Sequence, residues 1–168
     1  MANGARTTAA ANRAGRLIDR LGAIPVLSDE DELRARSLDT YWKAAALAKA
    51  GRAVVADAVV RPSTPDEVAT VLAAAVEEQV PVVPRGGGSG SQGGAVPDAG
   101  GVVLDLGGLD RISDLDEEAL TVRAQAGVPG LALEEWLNER GYVFPHYPAS
   151  LHLAQVGGYL AAKGSGVL

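Results

Sequence analysis

A glycine-rich run near the middle of the chain restricts its fold more than any other feature. Residues 85–94 contain six glycines and two serines, and the strand-like residues 80–84 lead into them. Successive glycines allow several backbone N–H groups to turn toward one anion at short range. A flexible Gly/Ser linker has a similar composition, but a strand before the run and another after it favour an ordered anion-binding loop. A pyrophosphate suits such a loop, because it accepts many hydrogen bonds and tolerates no bulk.

Two common nucleotide-binding motifs do not fit this loop. The spacing Gly88-x-Gly90-x-x-Gly93 matches the dinucleotide fingerprint of Rossmann domains, but that motif requires a helix to begin in the loop. Residues 94–101 read Gly-Ala-Val-Pro-Asp-Ala-Gly-Gly, in which we expect no helix start. A Walker loop is excluded because no Lys-Ser or Lys-Thr pair follows the glycines.

The residues before the loop predict a strand–helix–strand unit. Residues 54–60 are rich in β-branched side chains, which is typical of a strand. Thr64 and Glu67 have the spacing of a capping box, and Pro65 suits the first helical turn. An apolar stripe then predicts a helix that ends at Gln79, followed by a strand over 80–84. Units of this kind join parallel strands with right-handed connections.

The remaining segments predict further helices and strands. Residues 1–10 are expected to form a loose leader. We expect helices over 14–21, 39–50 and 131–140, and a further helix that starts after an N-cap at Ser28. Strands are expected over 101–106 and 120–126. Tyr41 and Trp42 are interpreted as packing residues. The order β-α-β-β-β-α predicts the α+β class with a small mixed sheet.

Composition excludes several classes of function. The 168 residues are 47% hydrophobic and carry a net charge of −6, which indicates an ordinary globular protein and disfavours binding of nucleic acid. The chain has no cysteine, so disulfides, thiolate nucleophiles and iron–sulfur clusters are excluded. No run approaches about 18 apolar residues, so no transmembrane segment is expected. No cluster of metal ligands is visible, and a cytoplasmic location is the expectation.

Two separated motifs carry a resemblance to a known family. They are residues 83–90, Val-Pro-Arg-Gly-Gly-Gly-Ser-Gly, and residues 148–159, Pro-Ala-Ser-Leu-His-Leu-Ala-Gln-Val-Gly-Gly-Tyr, with Lys-Gly-Ser-Gly following at 163–166. The pattern resembles FAD-linked oxidases with the FAD-binding domain of the p-cresol methylhydroxylase and vanillyl-alcohol oxidase superfamily. The spacing is most similar to alkyldihydroxyacetone-phosphate synthases and to the D-lactate dehydrogenase and glycolate oxidase group. The resemblance runs from about residue 21 to residue 168.

The resemblance implies a two-lobed FAD-binding domain. We expect an N-terminal helical segment over 1–50 and an FAD-binding domain over 51–168, with a first lobe over about 51–105 built on a β-α-β unit with three parallel strands. A partial second lobe would cover about 106–168. Because this lobe is expected to be incomplete, five apolar residues are expected to lack packing partners: Val156, Tyr159, Leu160, Val167 and Leu168.

The resemblance also implies a set of cofactor-binding residues. From the first motif these are Pro84, Arg85, Gly86, Gly87, Gly88, Ser89, Gly90 and Ser91, and from the second segment Pro148, Ser150, Gln155, Gly157, Gly158, Gly164, Ser165 and Gly166. Relatives that bind the flavin covalently carry a histidine where this chain has Gly90. Non-covalent FAD is therefore expected. A Gly87→Val change is expected to abolish cofactor binding, by blocking the approach to the phosphates and penalising a positive φ, while leaving the fold mostly intact.

The function implied by the resemblance is that of a flavin-dependent oxidoreductase. In the full-length enzyme the substrate would be a hydroxy acid or a similar small alcohol. No catalytic residue is assigned in this chain, and His146 and His152 are interpreted as loop or surface residues. The alternatives are a non-catalytic FAD-binding subunit with a catalytic partner chain encoded elsewhere, an inactive fragment of an alkyldihydroxyacetone-phosphate synthase-like protein, and a glycine-rich structural domain without a cofactor.

Overall fold

The computed structural model describes residues 8–164 and residue 166, and within them six α-helices and six strands. The helices are α1 (Thr8–Asp19), α2 (Glu30–Arg36), α3 (Trp42–Lys49), α4 (Pro65–Glu78), α5 (Gly130–Asn138) and α6 (Val156–Ala161). The strands are β1 (Val26–Leu27), β2 (Ala58–Val60), β3 (Val82–Arg85), β4 (Val102–Asp105), β5 (Ile112–Asp116) and β6 (Thr121–Ala124). A short 3₁₀ turn, Leu106–Gly108, follows β4.

The larger sheet has the strand order β1-β2-β4-β3. Strands β2, β4 and β3 are parallel, and β1 pairs antiparallel with β2. All four residues of β4 are buried, as expected for a central parallel strand covered on both faces. The predicted α+β class, the mixed sheet and the three parallel strands are confirmed.

Helix α4 begins and ends as the sequence predicts. The Thr64 hydroxyl accepts a hydrogen bond from the N–H of Glu67 at 3.2 Å, and Pro65 is the first helical residue. The Glu67 carboxylate accepts from the N–H of Ser63 at 2.6 Å and from its hydroxyl at 3.0 Å, and these bonds lower the pKa of Glu67. Gln79 caps the other end in the left-handed conformation, at φ 55°.

Helix α1 belongs to the core of the larger sheet. Leu17, Leu21 and Ile24 are buried in the same cluster as apolar residues of β2, α4 and β4. On the surface above them, Arg16 Nε of α1 lies 2.7 Å from a carboxylate oxygen of Glu78 in α4. The burial supplies most of the energy, because exposed ion pairs contribute little.

The second part of the chain has its own core around the β5–β6 hairpin, α5 and α6. Val156 is 8% exposed and Tyr159 is 7% exposed, and both pack in one cluster with Val128, Leu133 and Leu137. The expectation that Val156 and Tyr159 lack partners is therefore wrong, because α5 and the residues after it already cover them. Leu160 is exposed, at 65%, and Val167 and Leu168 lie outside the described residues.

Several boundaries differ from the expectations. Asp29, rather than Ser28, caps α2, because its carboxylate accepts from the N–H groups of Asp31 and Glu32. Helix α1 begins at Thr8, inside the expected leader, whose residues 1–7 lie outside the described residues. Trp42 is 73% exposed and is no packing residue. No helix in the described part of the chain is long and apolar enough to span a membrane.

Candidate functional site

The parallel strands bring three loops together at one edge of the sheet. Carboxyl ends of parallel strands meet at the same edge, which is where open α/β sheets bind ligands. Arg61 directly follows β2, Asp105 ends β4, and Arg85 ends β3 at the start of the glycine-rich loop. The edge therefore combines charged side chains with a glycine-rich backbone.

The glycine-rich loop keeps its N–H groups available. No helix begins in residues 86–101, in agreement with the rejection of a Rossmann motif. Within the part of the chain that the structure describes, the N–H groups of residues 86–91 donate no backbone hydrogen bond outside the regular elements. The carbonyls of Ser89 and Gly90 instead accept bonds from Thr40. With the carbonyls held on the protein side, the N–H groups can serve an anion.

The two motifs touch through their backbones. A Cβ built on Gly87 would lie 1.7 Å from the carbonyl oxygen of Leu153, and one on Gly86 would lie 3.1 Å from Oε1 of Gln155. Gly87 does not have a positive φ, whereas Gly88 does, at +70°. The expected reason for glycine at position 87 is therefore wrong in part, since a side chain there would first meet Leu153.

The amide of Gln155 lies between the loop and the 3₁₀ turn. A Cβ built on Gly107 would lie 3.3 Å from Gln155 Nε2 and 3.3 Å from an Nη atom of Arg61. Oε1 of Gln155 is buried and has no hydrogen-bond partner among the described residues. Buried acceptors without a partner are rare in folded proteins. A ligand that donates a hydrogen bond here would satisfy this oxygen.

The charges at this edge are paired within the protein. Asp105 is 2% exposed, and its carboxylate accepts from Arg36 at 2.6 Å and from the N–H of Gly107 at 2.9 Å. The guanidinium of Arg85 donates to a backbone carbonyl at 2.6 Å. Burial lowers the pKa of Arg85, and the like charge of Arg36 adds to this effect. Arg61 is the most exposed of the three arginines, with Nε 4.0 Å from Asp105.

The second segment contributes mainly packing. Its first predicted residues, Pro148 and Ser150, form a turn in which their carbonyls accept from Leu151 and Ala154. The N–H of Gly157 donates to Ala126 at 2.8 Å, whereas a Cβ on Gly158 would meet nothing within 4 Å. In the sequence these four residues flank Leu153, whose carbonyl packs against Gly87.

The other predicted residues have different surroundings. Pro84 lies in β3 and is exposed, and the hydroxyl of Ser91 accepts a hydrogen bond from Gln92 Nε2 at 3.3 Å. The N–H of Gly164 donates to Tyr159, and a Cβ on Gly166 would clash with Tyr147. Ser165 lies outside the described residues. The contacts therefore bring together residues 86–87 and Gln155, and they do not link residues 164 and 166 to the loop.

Sequence reasoning missed three residues at this edge of the sheet: Thr40, Asp105 and Arg61. Thr40 bonds the carbonyls of the glycine-rich loop, whereas Asp105 and Arg61 bond Gly107 in the neighbouring 3₁₀ turn. The sequence offers a hint for Asp105, because a charged residue ends an otherwise apolar strand. It offers none for Thr40, because the role of Thr40 depends on a contact with a distant part of the chain. Of the two histidines, His152 is exposed as expected, but His146 packs against Tyr159 with ring centroids 5.0 Å apart. No group of three metal-ligating side chains occurs among the described residues.

The glycine-rich loop lies at the carboxyl ends of parallel strands and packs against the second segment, an arrangement that suits a nucleotide cofactor. The sequence profile of the FAD binding domain family matches residues 56–168. The chain belongs to this family, and its cofactor is FAD. The unengaged loop N–H groups and the orphaned Gln155 oxygen fit such a ligand.

Similar proteins agree with this assignment. The chain is 35% identical over 111 residues to the glycolate oxidase subunit GlcD of Bacillus subtilis, covering 66% of this chain and 24% of that protein. It is 32% identical over 115 residues to alkyldihydroxyacetonephosphate synthase of Caenorhabditis elegans, covering 66% of this chain and 19% of that protein. The chain thus spans about a quarter or less of these two relatives.

Solved structures show the same fold. A structure of alkyldihydroxyacetonephosphate synthase superimposes with a TM-score of 0.83 at 24% identity, over 90% of this chain and 32% of that one. Substrate-bound p-cresol methylhydroxylase superimposes with a TM-score of 0.73 at 20% identity, over 98% of this chain and 31% of that one. These likenesses extend across both sheets of the described chain.

Proposed function

We propose that the chain holds FAD non-covalently for a flavin-dependent oxidoreductase that oxidises a hydroxy acid or a similar small alcohol. One observation carries the binding proposal: the loop 86–91 keeps its N–H groups free while Gly87 packs on Leu153. The pyrophosphate would lie between these two motifs. The loop contains neither histidine nor cysteine, and Gly90 stands where covalent relatives carry a histidine, which supports non-covalent binding of the flavin.

The roles of the residues follow from their contacts. The N–H groups of residues 86–91 would bind phosphate oxygens, with Ser89 and Ser91 adding hydroxyl donors. Gln155 Oε1, which is buried without a partner among the described residues, would accept from a hydroxyl or N–H group of the cofactor, because the pyrophosphate offers no donor. The sheet and the 3₁₀ turn hold these groups in place before the ligand arrives, which lowers the entropic cost of binding. The bound flavin supplies the two-electron acceptor.

The substrate class rests on the relatives. Glycolate oxidase and D-lactate dehydrogenases, including the one from Archaeoglobus fulgidus, are named for hydroxy acids. The alkyldihydroxyacetonephosphate synthase of Caenorhabditis elegans supports a second candidate, a chain with the chemistry of that synthase. Because the chain matches only part of each relative, we propose that substrate-contacting residues come from another segment or from a catalytic partner chain.

Cofactor titration tests the binding proposal. Purified protein is titrated calorimetrically with FAD, FMN and ADP. We expect FAD to bind more tightly than FMN, because only FAD offers a pyrophosphate to both motifs, and ADP to compete with FAD. Tighter binding of FMN would contradict the proposal. Acid precipitation of the FAD-loaded protein should release all colour into the supernatant, whereas colour in the pellet would indicate a covalent link.

Anaerobic reduction tests where the catalytic groups reside. Glycolate and D-lactate are added to the FAD-loaded chain while the flavin absorbance is followed, with dithionite as the positive control for reduction. We expect dithionite, and neither hydroxy acid, to bleach the flavin. Bleaching by either substrate would show that the chain carries its own catalytic groups.

A further inference from the structure

The residues between α2 and α3 contact the glycine-rich loop through the loop's carbonyls and through side chains. We call residues 37–41 the α2–α3 connection. Thr40 donates its N–H to the carbonyl of Gly90 at 3.0 Å and its hydroxyl to the same oxygen at 2.9 Å. A Cβ on Gly93 would lie 2.9 Å from the ring of Tyr41, and the N–H of Ala95 approaches the Asp39 carboxylate at 3.4 Å. The loop is thus supported over most of its length.

Arg85 completes this support. Its Nη1 donates to the carbonyl of Leu38 at 2.6 Å, and its Nη2 lies 3.3 Å from the carbonyl of Ala35. The same guanidinium lies beneath Gly88, where a Cβ would come within 2.4 to 2.6 Å of its atoms. One planar group therefore joins the start of the loop, its left-handed glycine and the end of α2.

We infer that Arg85 is the positioning residue of the loop and does not itself contact the cofactor phosphates. The inference rests on the proposed function for the identity of the ligand. Both terminal nitrogens of Arg85 are directed at backbone carbonyls, and its Nε is buried with no hydrogen-bond partner in the part of the chain that the structure describes. A guanidinium fixed in this way cannot swing toward an anion without releasing the α2–α3 connection. Its contribution to binding is to hold the loop so that the N–H groups converge.

Hydrogen exchange of the ligand-free chain tests the positioning role without the cofactor. In Arg85→Met, the N–H of Thr40 should exchange at least about tenfold faster, because hydrogen bonds from a charged donor are each strong enough for such a change. Arg85→Lys should show the same effect, since lysine cannot span both carbonyls or lie flat beneath Gly88. The surface variant Arg123→Lys, whose side chain is 78% exposed, is the control. Unchanged exchange at Thr40 in a folded Arg85→Lys would overturn the inference.

Ligand affinity gives the second readout, with ADP and FAD as the probes. A positioning role predicts that Arg85→Lys and Arg85→Met lose affinity equally, by about tenfold, because the planar fork is what matters. A direct phosphate contact predicts that Arg85→Lys retains affinity within about twofold, since the charge is kept; that result would overturn the inference. If the parent chain binds neither probe, the proposed function fails, and hydrogen exchange still decides the role of Arg85.

Discussion

Single glycines in the loop are required for different physical reasons. Gly87 is needed because the backbone of Leu153 occupies the space of a side chain. Gly88 is needed because its φ of +70° strains other residues. Gly90 and Gly94 meet nothing within 4 Å and have no positive φ, so the protein itself does not require glycine there.

Gly87→Ala should therefore destabilise the fold even without ligand. The new methyl group would be forced against a carbonyl oxygen, and overpacking of this kind costs roughly 1–3 kcal/mol. The free energy of unfolding from urea titration measures the loss. The matched control, Gly94→Ala, should stay within about 0.5 kcal/mol of the parent. Equal stability of the two variants would show that the motifs do not pack as described.

Gly90→Val should lower the affinity for FAD and leave the stability of the fold nearly unchanged. Its Cβ would meet no described atom within 4 Å, so stability should change little, but it would stand beside the N–H groups that we propose bind the phosphates. We expect FAD affinity to fall at least about tenfold, equivalent to about 1.4 kcal/mol. Calorimetric titration compares it with Gly94→Val, which should bind like the parent. Parental affinity in Gly90→Val would place the pyrophosphate elsewhere.

Among the elements, local signals decide which ones the sequence reveals. Helix α4 is predictable because its caps and its apolar stripe lie within the helix and its flanks. Helix α6 is missed because Gly157 and Gly158 disfavour a helix, and it forms through tertiary contacts, such as the bond from the N–H of Val156 to Val128. Strand β1 has two residues and exists through pairing with β2.

In the candidate site, too, the sequence reveals local features and does not reveal contacts between distant residues. The glycine-rich loop and the second motif are visible in the sequence, because glycine runs and their spacing are local. The contact of Gly87 with Leu153, the support from Thr40 and the internal hydrogen bonds of Arg85 join distant parts of the chain. Residue types alone assign Arg85 to the phosphates, and only the fold shows what its guanidinium binds.

The cap of α4 should make stability depend on pH. Hydrogen bonds from Ser63 lower the pKa of Glu67 in the folded state, so the ionised carboxylate favours folding. The contribution is fully present above the unfolded-state pKa of about 4.3 and is lost as the pH falls through the lower folded value. The melting temperature of Glu67→Gln should lie below that of the parent at neutral pH, and the difference should shrink in acid. The exposed Glu117→Gln is the control, and a gap that widens in acid would contradict this account.

At the scale of the whole molecule, residues before the family match belong to the fold. Leu17 is fully buried, and Leu21 and Ile24 pack in the same cluster as the parallel strands. Each such side chain contributes about 1.5–3 kcal/mol through burial. Because most domains are stable by only about 5–15 kcal/mol, the segment formed by α1 and the residues up to Ile24 accounts for a large share of the total.

Leu17→Ala should accordingly destabilise the entire chain by about 2–5 kcal/mol. Circular dichroism would follow the unfolding, and the flavin-binding residues should unfold in the same transition as α1. Leu160→Ala is the matched control, because that leucine is 65% exposed and should cost less than about 0.5 kcal/mol. A loss for Leu17→Ala no larger than that of the control would remove α1 from the core.

The α2–α3 connection has a consequence for anyone who builds chimeras from this family. A graft of residues 56–168 into a relative would carry both motifs but leave behind Thr40 and the carbonyl of Leu38. The recipient would have to supply an equivalent hydroxyl and an equivalent carbonyl. Otherwise the transplanted loop would lack the hydrogen bonds that hold it in this chain. Crossover points for such recombination therefore belong ahead of α1, in front of the first residue that the core uses.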